Sequence, residues 1–182
     1  MMLITCYHLL TSLQIEIDKK LVKMTELFEL FHNKLLFWSL IACLTAQVLK
    51  IVFNFFSAGE LKIGIIFETG GMPSSHSALI TSLASGLGMD LGFDDPIFAL
   101  AVGISLIVMY DASGVRRSAG LNAKEINKLS KCFDESSTLS LKESLGHSKL
   151  EVIVGSILGP LISLPGIVYI GSPANIFDYI FN

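Results

Sequence analysis

Three long apolar stretches leave this chain few alternatives to a helical membrane protein. Leu35 to Phe56 exceeds the roughly 20 residues needed to cross the hydrocarbon core and carries Gln47 and Lys50 near one end. Pro96 to Met109 opens with proline at a first helical position, a common start, and runs on to Tyr110 and Asp111. Leu150 to Ile170 is apolar despite Pro160 and Pro165, breaks that a membrane helix tolerates when neighbours satisfy the freed carbonyls. In lipid a backbone must satisfy its own polar groups, which for segments of this length means helix. Only 16% of the 182 residues are charged, against about a quarter in a soluble domain. Much of the surface must therefore face something other than water, and the lipid bilayer is the first expected partner. The net charge of −3 argues against nucleic acid, whose phosphates demand a basic surface.

Between the first two stretches lies SAGELKIGIIFETGGMPSSH, a connection broken by Gly70-Gly71 and Pro73. Ser74 or Ser75 is placed to cap a further helix, expected from about His76 to Met89. Its small residues (Ser77, Ala78, Ser82, Ala84, Ser85, Gly86, Gly88) suit close packing between membrane helices. Tyr110 to Lys131 is polar and basic and is expected to stay helical while leaving the membrane. Cys132 to Leu145 reads as a solvated loop. The expected architecture is all-α: an integral, multi-pass membrane bundle of about four transmembrane helices. Residues 35–182 form its membrane-embedded domain. Residues 1–34 read as a leader or interfacial helix, with Leu13, Ile17, Leu21, Met24 and Phe28 at helical spacing. No basic residue precedes the apolar run at Met1 to Leu13, so a cleaved signal is not expected. If the second and third membrane helices form a hairpin, Lys62 and the group Arg116, Arg117, Lys124, Lys128 and Lys131 share one side, which the positive-inside rule makes cytoplasmic. Cys6, Cys43 and Cys132 show no disulfide or zinc spacing and read as buried, inert thiols. Neither a metal nor a cofactor is implied, and a homo-oligomer stays open.

Three polar segments could carry chemistry. In Gly70-Gly71-Met72-Pro73-Ser74-Ser75-His76-Ser77 the glycines allow a tight turn and close approach to a ligand. The N–H groups at Ser75, His76 and Ser77 would meet an anion at the helix start, and His76 could pass a proton near neutral pH. The plain alternative is a Gly-Pro turn with a serine cap and an interfacial histidine. In Asp111-Ala112-Ser113-Gly114-Val115-Arg116-Arg117 the arginines could clamp phosphate oxygens, or simply anchor the helix end at the headgroups. Asp111 at the end of an apolar run needs a partner, and an arginine just beyond it can serve. In Gly146-His147-Ser148-Lys149-Leu150-Glu151, His147 and Glu151 are spaced to share a helix face. A carboxylate on one ring nitrogen fixes the tautomer and makes the other nitrogen a better base or nucleophile. The alternative is an ordinary surface pair. Lys50 and Lys62 could add positive charge or sit as interfacial lysines.

The run TGGMPSSHSA, followed by YDASGVRRSAG and LGHSKLEV, resembles the divergent type-2 phosphatidic acid phosphatase family, related to acid phosphatases and vanadium-dependent haloperoxidases. The resemblance covers roughly Leu40 to Pro160. It implies a helical bundle enclosing one phosphate pocket and a reaction through a phosphohistidine. Under it, His76 protonates the leaving group, His147 is the nucleophile and Glu151 its orienter. Ser74, Ser75 and Arg116 or Arg117 bind phosphate, and Lys50 matches the lysine of the first motif, with Lys62 as a substitute. The Arg-Pro expected after Lys50 is replaced by Ser57-Ala58, and Leu141 stands where an arginine would precede His147. Either the third motif is split by a long insertion, or catalysis is absent. The first alternative is a membrane phosphatase acting on a phosphomonoester or pyrophosphate of a lipid or polyprenyl substrate. The second is a non-catalytic protein binding phosphate or anionic headgroups.

Overall fold

A computed structural model of the chain describes residues 29, 32–59, 64, 70–133 and 140–176. Most of the expected leader, with Cys6, and also Lys62 lie outside the described residues. Among the described residues five long helices follow in order: α1 (Lys34–Ala58), α2 (Ser75–Leu91), α3 (Pro96–Ser113), α4 (Val115–Phe133) and α5 (Lys149–Tyr169). No strand occurs among the described residues.

The helix starts are written locally. The Asn33 side chain accepts from the Leu36 N–H at 2.9 Å, and Asp95 accepts from the Ile97 N–H at 2.7 Å with Pro96 just inside. Ser148 and Glu151 form a reciprocal capping box at the start of α5. That helix runs unbroken through Pro160 and Pro165. A frayed turn at that depth would leave amides with no water to meet them, so continuity is the cheaper state.

α2 sits at the centre, packed against α1, α3 and α5. It lies parallel to α5: Gly155 rests on the Ser74 carbonyl, and Gly159 rests on the Ala78 carbonyl and the Ser82 backbone. This Gly-x-x-x-Gly spacing lets two backbones touch, which matters in lipid, where packing rather than hydrophobic expulsion holds helices together. α1 and α3 run antiparallel to α2. Ser82 Oγ donates to Ser39 Oγ at 3.2 Å, and Ser105 Oγ donates to the Ile80 carbonyl at 3.3 Å. Most buried side chains are small or polar (Ala42, Ala46, Ala78, Ser77, Ser82, Ser163), whereas Leu44, Leu100, Ile107, Ile153 and Leu161 point outward. That is the inverse of a soluble core and suits a lipid-facing exterior. Three helical stretches, Lys34–Ser57, Pro96–Phe133 and Lys149–Tyr169, are long and apolar enough to cross a membrane. α2, with 17 residues, is about 25 Å long and is enclosed by them as the fourth member.

This topology gathers the end of α1, the start of α2, the end of α3 and the start of α5 at one end of the bundle. The opposite end is closed by a Lys34–Asp90 ion pair at 2.8 Å and by Trp38 Nε1 donating to the Gly171 carbonyl at 2.8 Å.

Two expectations need correction. The helix leaving the membrane is not continuous: it breaks at Gly114, whose N–H still reaches the Tyr110 carbonyl at 2.8 Å. The segment up to Leu145 is solvated at residues 140–144, as expected, but it is not free. The described part, residues 140–147, runs back along α4 as a strap. Buried Asn127 grips it with its amide, donating to the Leu141 carbonyl at 2.8 Å and to Glu143 Oε1 at 2.9 Å, and accepting from the Leu141 N–H at 2.8 Å. Gly120 lies flat against the Glu143 and Leu145 carbonyls, and Gly146 against the backbone of Arg116 and Arg117.

Candidate active site

The turn before α2 passes through Gly71 at φ 92°, a left-handed conformation that a side chain would strain. Ser74 then caps the helix. Its Oγ accepts from the Ser77 N–H at 3.4 Å and from Ser77 Oγ at 2.9 Å, and its own N–H donates to the Glu151 carbonyl at 3.1 Å. Ser74 and Ser75 are buried, and neither lines the two cavities at this end of the bundle. The Ser74 hydroxyl and the Ser77 N–H, both counted as phosphate donors from the sequence, are instead committed to building and docking the helix start. His76 is exposed and walls a cavity of about 290 Å3.

His147 enters the same cavity from the strap. It precedes α5 rather than sharing a helix face with Glu151, so the expected helical pairing is replaced by a tighter device. The capping-box carboxylate reaches back, and Glu151 Oε2 accepts from the Ser148 N–H at 3.2 Å while standing 3.0 Å from His147 Nδ1. The His147 N–H donates to the Ala112 carbonyl of α3 at 2.9 Å. The residue is 3% exposed, and its Nε2 is buried without a hydrogen-bond partner among the described residues. Burial pushes the imidazole below the ordinary histidine value and the positive charge of Lys50 pushes the same way, while the Glu151 hydrogen bond and charge and the Gly71 backbone oppose them. In the neutral ring, a proton on Nδ1 facing the carboxylate leaves the lone pair on Nε2.

Arg116 completes the smaller cavity, with Asp111 and the apolar side chains of Ile107 and Val108. Its Nε lies 2.6 Å from Asp111 Oδ2, the partner that Asp111 was expected to need. Arg117 points elsewhere, because successive residues on a helix are about 100° apart. It lines a neighbouring cavity of about 510 Å3 with Gly70, Lys124, Glu143, Ser148 and Glu151. Lys50 is buried in α1 and walls neither cavity, but with Arg116 and His147 it lies within electrostatic reach of His76. Thus His76, His147 and Arg116 meet at one cavity, Lys50 stands near, and Arg117 is separated from them. Sequence reasoning missed Lys124, Asn127 and the Ala112 carbonyl. Their spacing from the motifs has no local signature, since only the return of the strap makes them neighbours.

The fold and this polar end define an integral, multi-pass, all-helical membrane protein. The chain belongs to the divergent PAP2 family, whose model matches residues 31–162. It is 39% identical over 150 residues to the uncharacterized membrane protein YuiD of Bacillus subtilis (strain 168), covering 75% of this chain and 95% of that protein. No solved structure matches the chain significantly.

Proposed function

We propose that this protein hydrolyses a phosphomonoester or pyrophosphate of a lipid or polyprenyl substrate through a phosphohistidine on His147. One observation carries the reading: a buried histidine, its Nδ1 beside Glu151 and its Nε2 without a side-chain partner, lines a cavity shared with a second histidine and an arginine. A buried polar atom without a partner is costly, and active sites are where such groups persist. The Nε2 lone pair attacks phosphorus, the N–P bond forms, and the ester P–O bond breaks. His76 gives its proton to the leaving oxygen. Water then attacks phosphorus, the N–P bond breaks, His76 takes the water proton, and phosphate leaves. Arg116 holds the phosphoryl oxygens. Its Nε–H is committed to Asp111, but the four terminal N–H donors remain. Lys50 supplies further positive charge behind the site.

The test is release of inorganic phosphate from lipid phosphates by the purified protein in mixed micelles. His147→Ala is expected to abolish turnover, and His76→Ala to reduce it by about 10²–10⁴-fold. Equal rates for wild type and His76→Ala reject the role given to His76. The second reading is phosphate or headgroup binding without turnover. It draws on the engagement of Arg116 with Asp111 and of Ser74 with Ser77, which takes two expected phosphate ligands partly out of use. An acid-labile, base-stable phosphoenzyme that disappears in His147→Ala eliminates that reading.

A further inference from the structure

The larger cavity is not the one holding the two histidines, yet the two adjoin through one pair of residues. His147 walls the smaller, and its partner Glu151 walls the larger. The larger cavity is bounded by the turn at Gly70, by the strap at Glu143 and by the face of α4 that carries Arg117 and Lys124. These two cations are two turns apart and project from the same side of the helix.

The hydrogen-bond commitments of this cavity are lopsided. Its carboxylates are in use: Glu143 accepts from Asn127, and Glu151 from the Ser148 N–H while it holds His147. Its cations are not. Among the described residues, neither Arg117 nor Lys124 lies within ion-pair distance of a carboxylate, whereas the adjacent Arg116 is held by Asp111 at 2.6 Å. A guanidinium and an ammonium facing a concave, glycine-floored space are suited to a compact oxyanion. Gly70 and Gly120 border that space and lie against the strap carbonyls of Gly146 and Glu143, which brings the strap close to α4.

We infer that the larger cavity is a second anion subsite, in which Arg117 and Lys124 hold a phosphoryl group linked to the one attacked at His147, so that the preferred substrate is a diphosphate. This rests on the reading above that the scissile phosphoryl group sits against His147 Nε2. In the step, the bond between the terminal phosphorus and the bridging oxygen breaks as the N–P bond forms. The bridging oxygen keeps the electron pair and stays on the departing monophosphate. Arg117 and Lys124 neutralise the charge that accumulates there, which gives these residues a part in the leaving-group chemistry as well as in binding.

The experiment compares kcat/KM of the purified full chain on farnesyl diphosphate, farnesyl monophosphate and inorganic pyrophosphate, for wild type, Arg117→Ala, Lys124→Ala, the double variant and Lys124→Arg. A charge-assisted hydrogen bond contributes about 1.5–3 kcal/mol, so the double variant is expected to lose at least tenfold more on the diphosphate than on the monophosphate, with Lys124→Arg retaining most of the preference. A matching selective loss on pyrophosphate supports a subsite that reads the diphosphate alone; a selective loss confined to farnesyl diphosphate supports one that takes it only as a lipid. Equal losses on monophosphate and diphosphate overturn the subsite. A parallel arm measures binding of methylenediphosphonate to His147→Ala, which needs no turnover. If no substrate is hydrolysed but this binding requires Arg117 and Lys124, the hydrolytic reading falls and the subsite stands. If the monophosphate is hydrolysed but neither turnover of diphosphate nor diphosphonate binding depends on the pair, the subsite falls and the hydrolytic reading stands.

Discussion

His147 is fixed at two points by protein alone: its N–H on the Ala112 carbonyl and its Nδ1 beside Glu151. Glu151 also closes the capping box, so charge and geometry can be separated there. Glu151→Gln keeps a residue able to cap but removes the carboxylate charge. It is expected to lower kcat by about 10- to 100-fold, the scale seen when an orienting carboxylate is lost, with KM little changed. Steady-state kinetics on a lipid phosphate check this; a changed KM with kcat intact would contradict it. The pH dependence follows from burial. The folded-state pKa of His147 lies below its unfolded value, so the unfolded chain binds the extra proton first as pH falls. The stability contribution is therefore intact above the ordinary histidine value and declines below it, and His147→Gln should flatten the acid side of a thermal-melting profile. At this scale the sequence displayed the reactive residue types, because histidine, arginine and carboxylate carry their chemistry with them. It could not show that Ser74 is taken up as a cap, nor which arginine faces the histidines, because both depend on the direction in which a helix points.

At the scale of elements, α4 leads away from Arg116 and the described strap, residues 140–147, runs back along it, which brings Arg116 and His147 to one cavity. Asn127 is the fastener, and its amide imitates a neighbouring strand by giving and taking one bond with Leu141. Asn127→Ala removes both bonds to the part-buried backbone of Leu141, at about 0.5–1.5 kcal/mol each. Faster hydrogen exchange at Leu141 to Leu145 is expected, along with slower turnover; unchanged exchange would show that the strap is held otherwise. The α2–α5 contact is equally specific. Gly159→Leu drives a side chain into the backbone of Ala78 and Ser82, so it is expected to lower the melting temperature in detergent sharply, well beyond a lipid-facing change such as Ile157→Leu. The helices themselves were legible from apolar length, caps and prolines. The break at Gly114 and the strap were not, because a polar segment has no hydrophobic period to show what it lies against.

At the scale of the whole molecule, α2 and α3 form the anticipated hairpin, so Arg116, Arg117, Lys124, Lys128 and Lys131 all follow from the end that also carries the start of α2. By the positive-inside rule the cavities are predicted to face the cytoplasm. Cys132, expected to be buried but exposed on the polar helix α4, reports on this: in a Cys6→Ser background, a membrane-impermeant maleimide should label it in inside-out vesicles and not in intact cells, with Cys43 unlabelled in both. Labelling in intact cells would reverse the orientation. The sequence by itself determined that this chain lives in a membrane, that it is helical, and which residue types are available for phosphate chemistry. These follow from composition, apolar length and short motifs, each readable within a few turns of helix. Tertiary structure alone decided that His76, His147 and Arg116 share a cavity, that Arg117 joins Lys124 in another, and that the serines serve the scaffold. The physical reason is that helix packing through glycine and serine sets relative rotation and depth, and contacts between distant segments leave no mark in local spacing.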